Sequence, residues 1–268
     1  MRRHVFRQVL TEAINDIARR GPDDDRLKYW LGRLTTAMEL YLPSQEQDES
    51  FLKSRLGAAY RRALTPARLK KAGLAGVYEG ADLTHEMRGQ LSRYLLQSMN
   101  LIRRNRREAM ETTLSRFSGW VSSVPEGGSK IIDKNKVKGH LSKRLQSQSY
   151  EGRRLATDQG HKMISAIDRV VAENTSAIAA RWRSNWRRPG YNYREDHKER
   201  DDRVYVIRGN WALQAGLMKV GKAGYTDEIT QPGEEVYCSC WYEYVHSLRD
   251  LPDDMVTAKG RATLLGKK

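Results

Sequence analysis

A chain of 268 residues is long enough to bury a hydrophobic core, and its only cysteines, Cys238 and Cys240, stand too close together to supply a disulfide framework, so they read as thiols of a reducing compartment. Lys and Arg number 48 against 33 Asp and Glu, and the formal net charge of +15 implies attraction to polyanions. No apolar run approaches the roughly 18 residues of a membrane span, and the first residues lack the apolar centre of a signal peptide, so a soluble, intracellular protein with no membrane span is expected.

The apolar residues Phe6, Val9, Leu10, Ala13, Ile14 and Ile17 follow the helical period and stop at Arg19-Arg20-Gly21-Pro22, where cations, a glycine and a proline suit a helix end. A second helix is predicted from the acidic "DDDR" stretch, with Leu27, Leu31, Leu34, Met38 and Tyr41 on one face, ending before Pro43. A third carries Leu52, Leu56, Tyr60 and Ala63 until Thr65-Pro66 opens a short fourth element. After the glycine-punctuated "KAGLAGVYEGAD", a long helix is predicted from Thr84 through Leu91, Leu95, Met99 and Ile102 to Leu114 and Phe117.

"SSVPEGGSK" at 122–130 is the clearest break, and the lysine-rich segment after it reads as an exposed loop or β-hairpin. Another helix is predicted over Tyr150–Glu173, and then the character changes. "SAIAARWRSNW", "RVYVIRG" and "EEVYCSCWYEYV" read as three strands rich in Val, Tyr and Trp. The expected fold class is α+β: a mainly α-helical N-terminal region, 1–125, a basic loop or hairpin, 126–149, a small C-terminal α+β module, 150–250, and a tail, 251–268.

Two thiols and an imidazole are good zinc donors, so Cys238, Cys240 and His197 form a candidate metal set, with His246, Asp196, Asp201 or water for a fourth place. On a regular strand the two cysteines would project to one face, toward a shared ligand or a shared buried environment. A Cys–His nucleophile lacks a third group to orient the base, and no phosphate loop, dinucleotide fingerprint or HExxH motif is present, so no enzyme is expected. Candidate nucleic-acid contacts are Arg103, Arg104, Arg106 and Arg107, with Lys134, Lys136, Lys138, Lys143 and Arg144 in the later basic cluster. Trp182, Trp186, Tyr191 and Tyr193 interleave with arginines and could either stack on bases or anchor a core.

The order of these features carries a resemblance. A helix with "RRLATDQGHKMISAIDRVV", a strand ending "RWRSNWRR", the box "REDHKERD" and the late "QPGEEVYCSCWY" resemble the phage Mu F-like minor head protein (phage head morphogenesis) family. Arg194 and His197 match its Arg-x-x-His box, Pro232 and Gly233 its turn, and Cys238 and Cys240 its paired cysteines; Arg153 or Arg154, Ala156, Asp158 and Gln159 match its helix, and Trp182 or Trp186 its strand. The resemblance covers roughly 150–245. It implies a virion structural protein of a tailed bacteriophage, acting in head morphogenesis. The expected partners are the portal protein and the major capsid or scaffolding protein, met through the helical region, together with packaged double-stranded DNA. The expected place is the capsid interior or portal vertex, and the host cytoplasm during assembly. A DNA-binding protein, or a cysteine- or metal-dependent enzyme, is the alternative.

Overall fold

The computed structural model describes residues 2–76 and 84–266, so the part of the glycine-punctuated stretch from 77 to 83 lies outside the described residues. Its fold class is α+β, a large helical N-terminal region followed by a small three-stranded antiparallel sheet with helices. The chain divides into two compact units, 1–51 with 97–155, and 52–96 with 156–268. This differs from the consecutive blocks expected from the sequence, because the division falls inside three long helices and each unit gathers segments far apart in the chain.

The first unit holds α1 (Arg2–Arg20), α2 (Asp24–Tyr41), α6 (Lys134–Gln146) and parts of α3 (Gln45–Ala63), α5 (Thr84–Val121) and α7 (Gln148–Asn174). Its core is the set the helical period selected: Phe6, Leu10, Ile14 and Ile17 pack with Trp30, Leu34 and Met38, joined by Phe117 and Val121 from α5. Asp23 caps α2 by accepting the Arg26 N–H at 2.7 Å.

The basic segment after the break is a helix, which corrects the expected loop or hairpin. Asp133 caps it, accepting the N–H groups of Asn135 and Lys136 at 3.1 and 3.0 Å. Val137, Leu141 and Leu145 then recur every fourth residue on the face that enters the core, while Lys134, Lys136 and Lys143 stay exposed. Leu141→Ala should therefore cost about 2–5 kcal/mol in denaturant unfolding, where an exposed loop position would cost under about 0.5 kcal/mol.

The second unit is built around the sheet β2-β1-β3, with β1 (Ala179–Arg183) central and both neighbours antiparallel, β2 (Val204–Val206) and β3 (Trp241–Val245). Strand alternation divides its side chains cleanly. Ala180, Trp182, Tyr205, Tyr242 and Tyr244 enter one core with Met163, Ile167 and Val171 of α7 and Leu56 of α3. Ala179, Val204, Val206 and Val245 enter another with Met218, Leu248, Leu251, Met255 and Val256. The expected tail is thus part of the fold: its apolar residues cover the second face of the sheet, followed by a last helix, Ala258–Gly266.

The short α4 (Pro66–Lys71) leads into Gly73, where φ is +70° and a Cβ would lie 2.1 Å from the Tyr244 carbonyl oxygen. Only glycine permits that approach, and it lets the Tyr244 N–H donate to the Ala72 carbonyl at 2.8 Å, holding β3 in place.

Candidate metal centre

His197 lies on the single-turn helix α8 (Glu195–Glu199), and its ring meets the Trp182 indole edge-on, centroids 5.1 Å apart. Arg194, which precedes α8, donates to the Val236 carbonyl at 3.0 Å and pairs with Glu235 at 2.5 Å, so the helix is tied to the loop that carries the cysteines. Arg200 makes a second tie, donating to the Thr230 carbonyl and hydroxyl at 3.1 and 2.9 Å.

That loop, 232–240, is held from three other sides. Gly233 has φ +87°, and a Cβ there would come within 2.9 Å of Ser165 Oγ and 3.2 Å of Ser165 Cβ on α7. The Tyr237 N–H donates to Asp158 Oδ1 of α7 at 2.6 Å. The Ser239 N–H donates to the Tyr191 hydroxyl at 3.1 Å, and Asn185 donates to the Ser239 carbonyl at 2.7 Å. Gly233→Ala combines left-handed strain with a clash against α7, and is expected to cost about 1–3 kcal/mol in thermal or denaturant unfolding.

So fixed, the loop turns both thiols onto one imidazole nitrogen. Cys238 Sγ and Cys240 Sγ each lie 3.6 Å from His197 Nδ1. The three side chains are almost wholly buried, at 1, 4 and 1% exposure for Cys238, Cys240 and His197. Zn–S bonds of about 2.3 Å and Zn–N bonds of about 2.0–2.1 Å meeting at the tetrahedral angle put S and N about 3.6 Å apart. The observed separations have the length of such a tetrahedron's edges, and the three donor atoms all lie within 4.8 Å of one another.

The charge pattern suits a cation. The hydrogen bond from the Cys240 thiol holds Cys238 down at about 6 against the opposing effect of burial, helped by backbone N–H groups and by His197. The same sharing, with burial, pushes Cys240 up. On the far side of the ring, His197 Nε2 is buried without a hydrogen-bond partner, yet Glu235 Oε2 stands 3.6 Å away and Asp196 Oδ2 3.9 Å. A carboxylate behind a ligating histidine orients the ring and raises its basicity.

The cysteines do not lie on a regular strand, as the sequence suggested, because β3 begins only at Trp241; turn geometry, not strand alternation, brings them together. His246 is not in the cluster. It follows β3, about 20 Å along an extended chain from Cys240, and its Nε2 lies 2.9 Å from Thr175 Oγ1. Asp201 is also committed elsewhere, accepting from the Ser184 N–H and the Trp186 indole at 2.8 and 2.9 Å. Ser184 Oγ lies 3.8 Å from Cys240 Sγ.

The basic candidates are scattered in their engagement. Arg103, Arg104 and Arg107 are exposed, with Arg104 lying 3.6 Å from Glu108. Arg106 is largely buried in an ion pair with Asp48 and donates to the Pro43 carbonyl at 2.7 Å, so it is a structural residue of the first unit. Lys138 donates to Thr11, and Arg144 pairs with Glu151. Among the described residues no helix is long and apolar enough to cross a membrane. Compared with known proteins, the chain matches no family model, no curated protein and no solved structure.

Proposed function

We propose that the second unit is fastened by one zinc ion held by His197, Cys238 and Cys240, and that the chain is a minor head protein of a tailed bacteriophage, structural rather than enzymatic. The observation that carries the zinc reading is the pair of 3.6 Å separations from two buried thiols to one imidazole nitrogen. The fourth position falls to water or to the Ser184 hydroxyl. Bound there, zinc would tie α8 to the cysteine loop and remove the cost of burying a thiolate beside a polar ring.

The head-protein reading is supported by convergence. The residues selected by the resemblance are far apart in sequence, yet Asp158, Trp182, Arg194, His197 and Gly233 all contact the cysteine loop or one another. A structural role is supported by burial: the two thiols and the His197 ring are almost wholly enclosed by the fold, as the donors of a closed structural site are. In this reading the portal or capsid proteins are the partners and packaged DNA is the polyanion. The test is composition of purified phage particles made with the chain: its presence at low copy in heads sedimented through a gradient is expected, and its recovery only as free protein would overturn the reading.

A further inference from the structure

One open groove of the first unit, of about 1190 Å³, is lined by the second half of α1, the first half of α2 and the segment 127–134. Its walls are joined backbone to backbone. The Ser129 N–H donates to the Ala18 carbonyl at 2.7 Å. A Cβ on Gly21 would lie 2.6 Å from the Gly127 nitrogen, and one on Gly128 2.5 Å from the Ala18 carbonyl oxygen, so glycine permits the approach. The residues next along the two chains, Arg19 and Lys130, both line the groove, and Arg33 and Lys134 join them from α2 and α6. All four are exposed.

Apart from Ala18, Tyr29 and Trp30, the lining is glycine, polar or charged, with six cations against three acids. The acids are already used. Asp16 pairs with Arg20 at 3.0 Å and with Arg26 at 3.6 Å, and accepts from the Trp30 indole at 2.8 Å. Asp23 pairs with Arg26 at 2.8 Å, and Glu12 accepts from Gln8 at 2.9 Å. The remaining cations, Arg19, Arg33, Lys130 and Lys134, make no ion pair among the described residues. Arg33 donates to the Tyr29 hydroxyl at 2.9 Å, which holds its guanidinium at the groove wall.

We infer that this groove binds the phosphate backbone of double-stranded DNA through Arg19, Arg33, Lys130 and Lys134. Cations without carboxylate partners give up no ion pair when a phosphate arrives, and arginine's planar fork engages two of its oxygens. A protein partner would need a desolvated apolar centre, and Tyr29 is the one exposed aromatic or aliphatic side chain of the lining. The inference rests on the reading above for the identity of the polyanion. Of the basic residues selected from the sequence it keeps Lys134, and it sets Arg19, Arg33 and Lys130 in place of the α5 arginines.

The test is binding of the full-length protein to a fluorescent duplex of about 20 base pairs across roughly 50–200 mM salt. Arg19→Gln/Arg33→Gln/Lys130→Gln/Lys134→Gln should weaken binding by about tenfold or more and lower the slope of log affinity against log salt by about 3–4. Arg19→Lys/Arg33→Lys, which keeps both charges, should bind within about threefold of the unmodified protein, and so should Arg103→Gln/Arg107→Gln. Melting temperature and zinc content should be the same in all variants, because these side chains are exposed; the zinc reading therefore stands or falls separately. No binding by the unmodified protein, an unchanged salt slope in the fourfold variant, or an equal loss from the α5 variant would each overturn the inference. Equal competition by polyglutamate at matched charge, or by inorganic phosphate at matched phosphate concentration and ionic strength, would overturn it too. Phage heads that contain the chain, with a fourfold variant that binds the duplex normally, would reject the groove and leave the head-protein reading in place.

Discussion

Cys238→Ser/Cys240→Ser should lose bound zinc and melt about 10 °C below the unmodified protein. A metal present at a thousand times its dissociation constant stabilises the folded state by about 4 kcal/mol. For a chain of this size that corresponds to a shift of about 10 °C. The sulfur-to-oxygen change alters volume little, so most of the expected loss is the metal's. A chelator added to the unmodified protein should lower its melting temperature by nearly the same amount, and have almost no effect on the serine variant. His197→Gln should fall between, since it removes one donor and leaves two thiols. Scanning calorimetry with and without chelator measures all of these. A serine variant that melts with the parent would mean that the cysteines only fill space.

The second large effect concerns the buried ion pair between Arg68 of α4 and Asp168 of α7. Both side chains are largely buried, and Arg68 Nη1 and Asp168 Oδ1 are buried without hydrogen-bond partners, so the pair is incompletely compensated. Asp168→Ala would strand the guanidinium and should cost about 3–5 kcal/mol. Arg68→Met/Asp168→Leu, which removes both charges and keeps volume, should be neutral or more stable by as much as about 4 kcal/mol.

The same pair has a pH signature. Burial raises the Asp168 carboxyl from 3.8 to about 6, with the charge and hydrogen bond of Arg68 opposing it. Between those values the folded state holds a proton that the unfolded chain has lost, so this group's contribution is full below pH 3.8 and is lost as pH rises through about 6. The difference in stability between the unmodified protein and the double variant should shift by about 3 kcal/mol across that window, the parent losing ground as pH rises. Urea unfolding at several pH values reads it directly; a pH-independent difference would contradict the buried, raised carboxyl.

How much of this was legible in the sequence follows from the range of the forces involved. The helices of the first unit announce themselves because Leu10, Ile14 and Ile17, or Leu34 and Met38, sit at helical spacing against polar neighbours. Helix α6 is hidden because lysines dominate its composition; its signals are Asp133 as a cap and only three apolar residues at spacings of four, Val137, Leu141 and Leu145. The C-terminal segment reads as a tail because Leu251, Met255 and Val256 show no long period, and what holds them is the second face of the sheet.

The site was legible as residues but not as geometry. Donor chemistry selects His197, Cys238 and Cys240, and the family resemblance gives Arg194, Pro232 and Gly233, all of which the loop brings together. Sequence reasoning also allowed His246, which shares the chemistry and lies only six residues from Cys240; the five-residue strand between them carries it away. Glu235 was missed as the carboxylate behind His197, since only the tie between Arg194 and Glu235 places it there. The division into two units escaped a reading along the chain, because the contacts that define it join segments separated by long helices.

The most direct test of the central claim is X-ray absorption at the zinc edge on the purified protein, with metal content by elemental mass spectrometry on the same sample. About one zinc per chain is expected, with two sulfur scatterers at about 2.3 Å and nitrogen or oxygen at about 2.0–2.1 Å. A zinc-free protein, or a zinc shell without sulfur, would contradict the assignment of Cys238, Cys240 and His197 as its ligands.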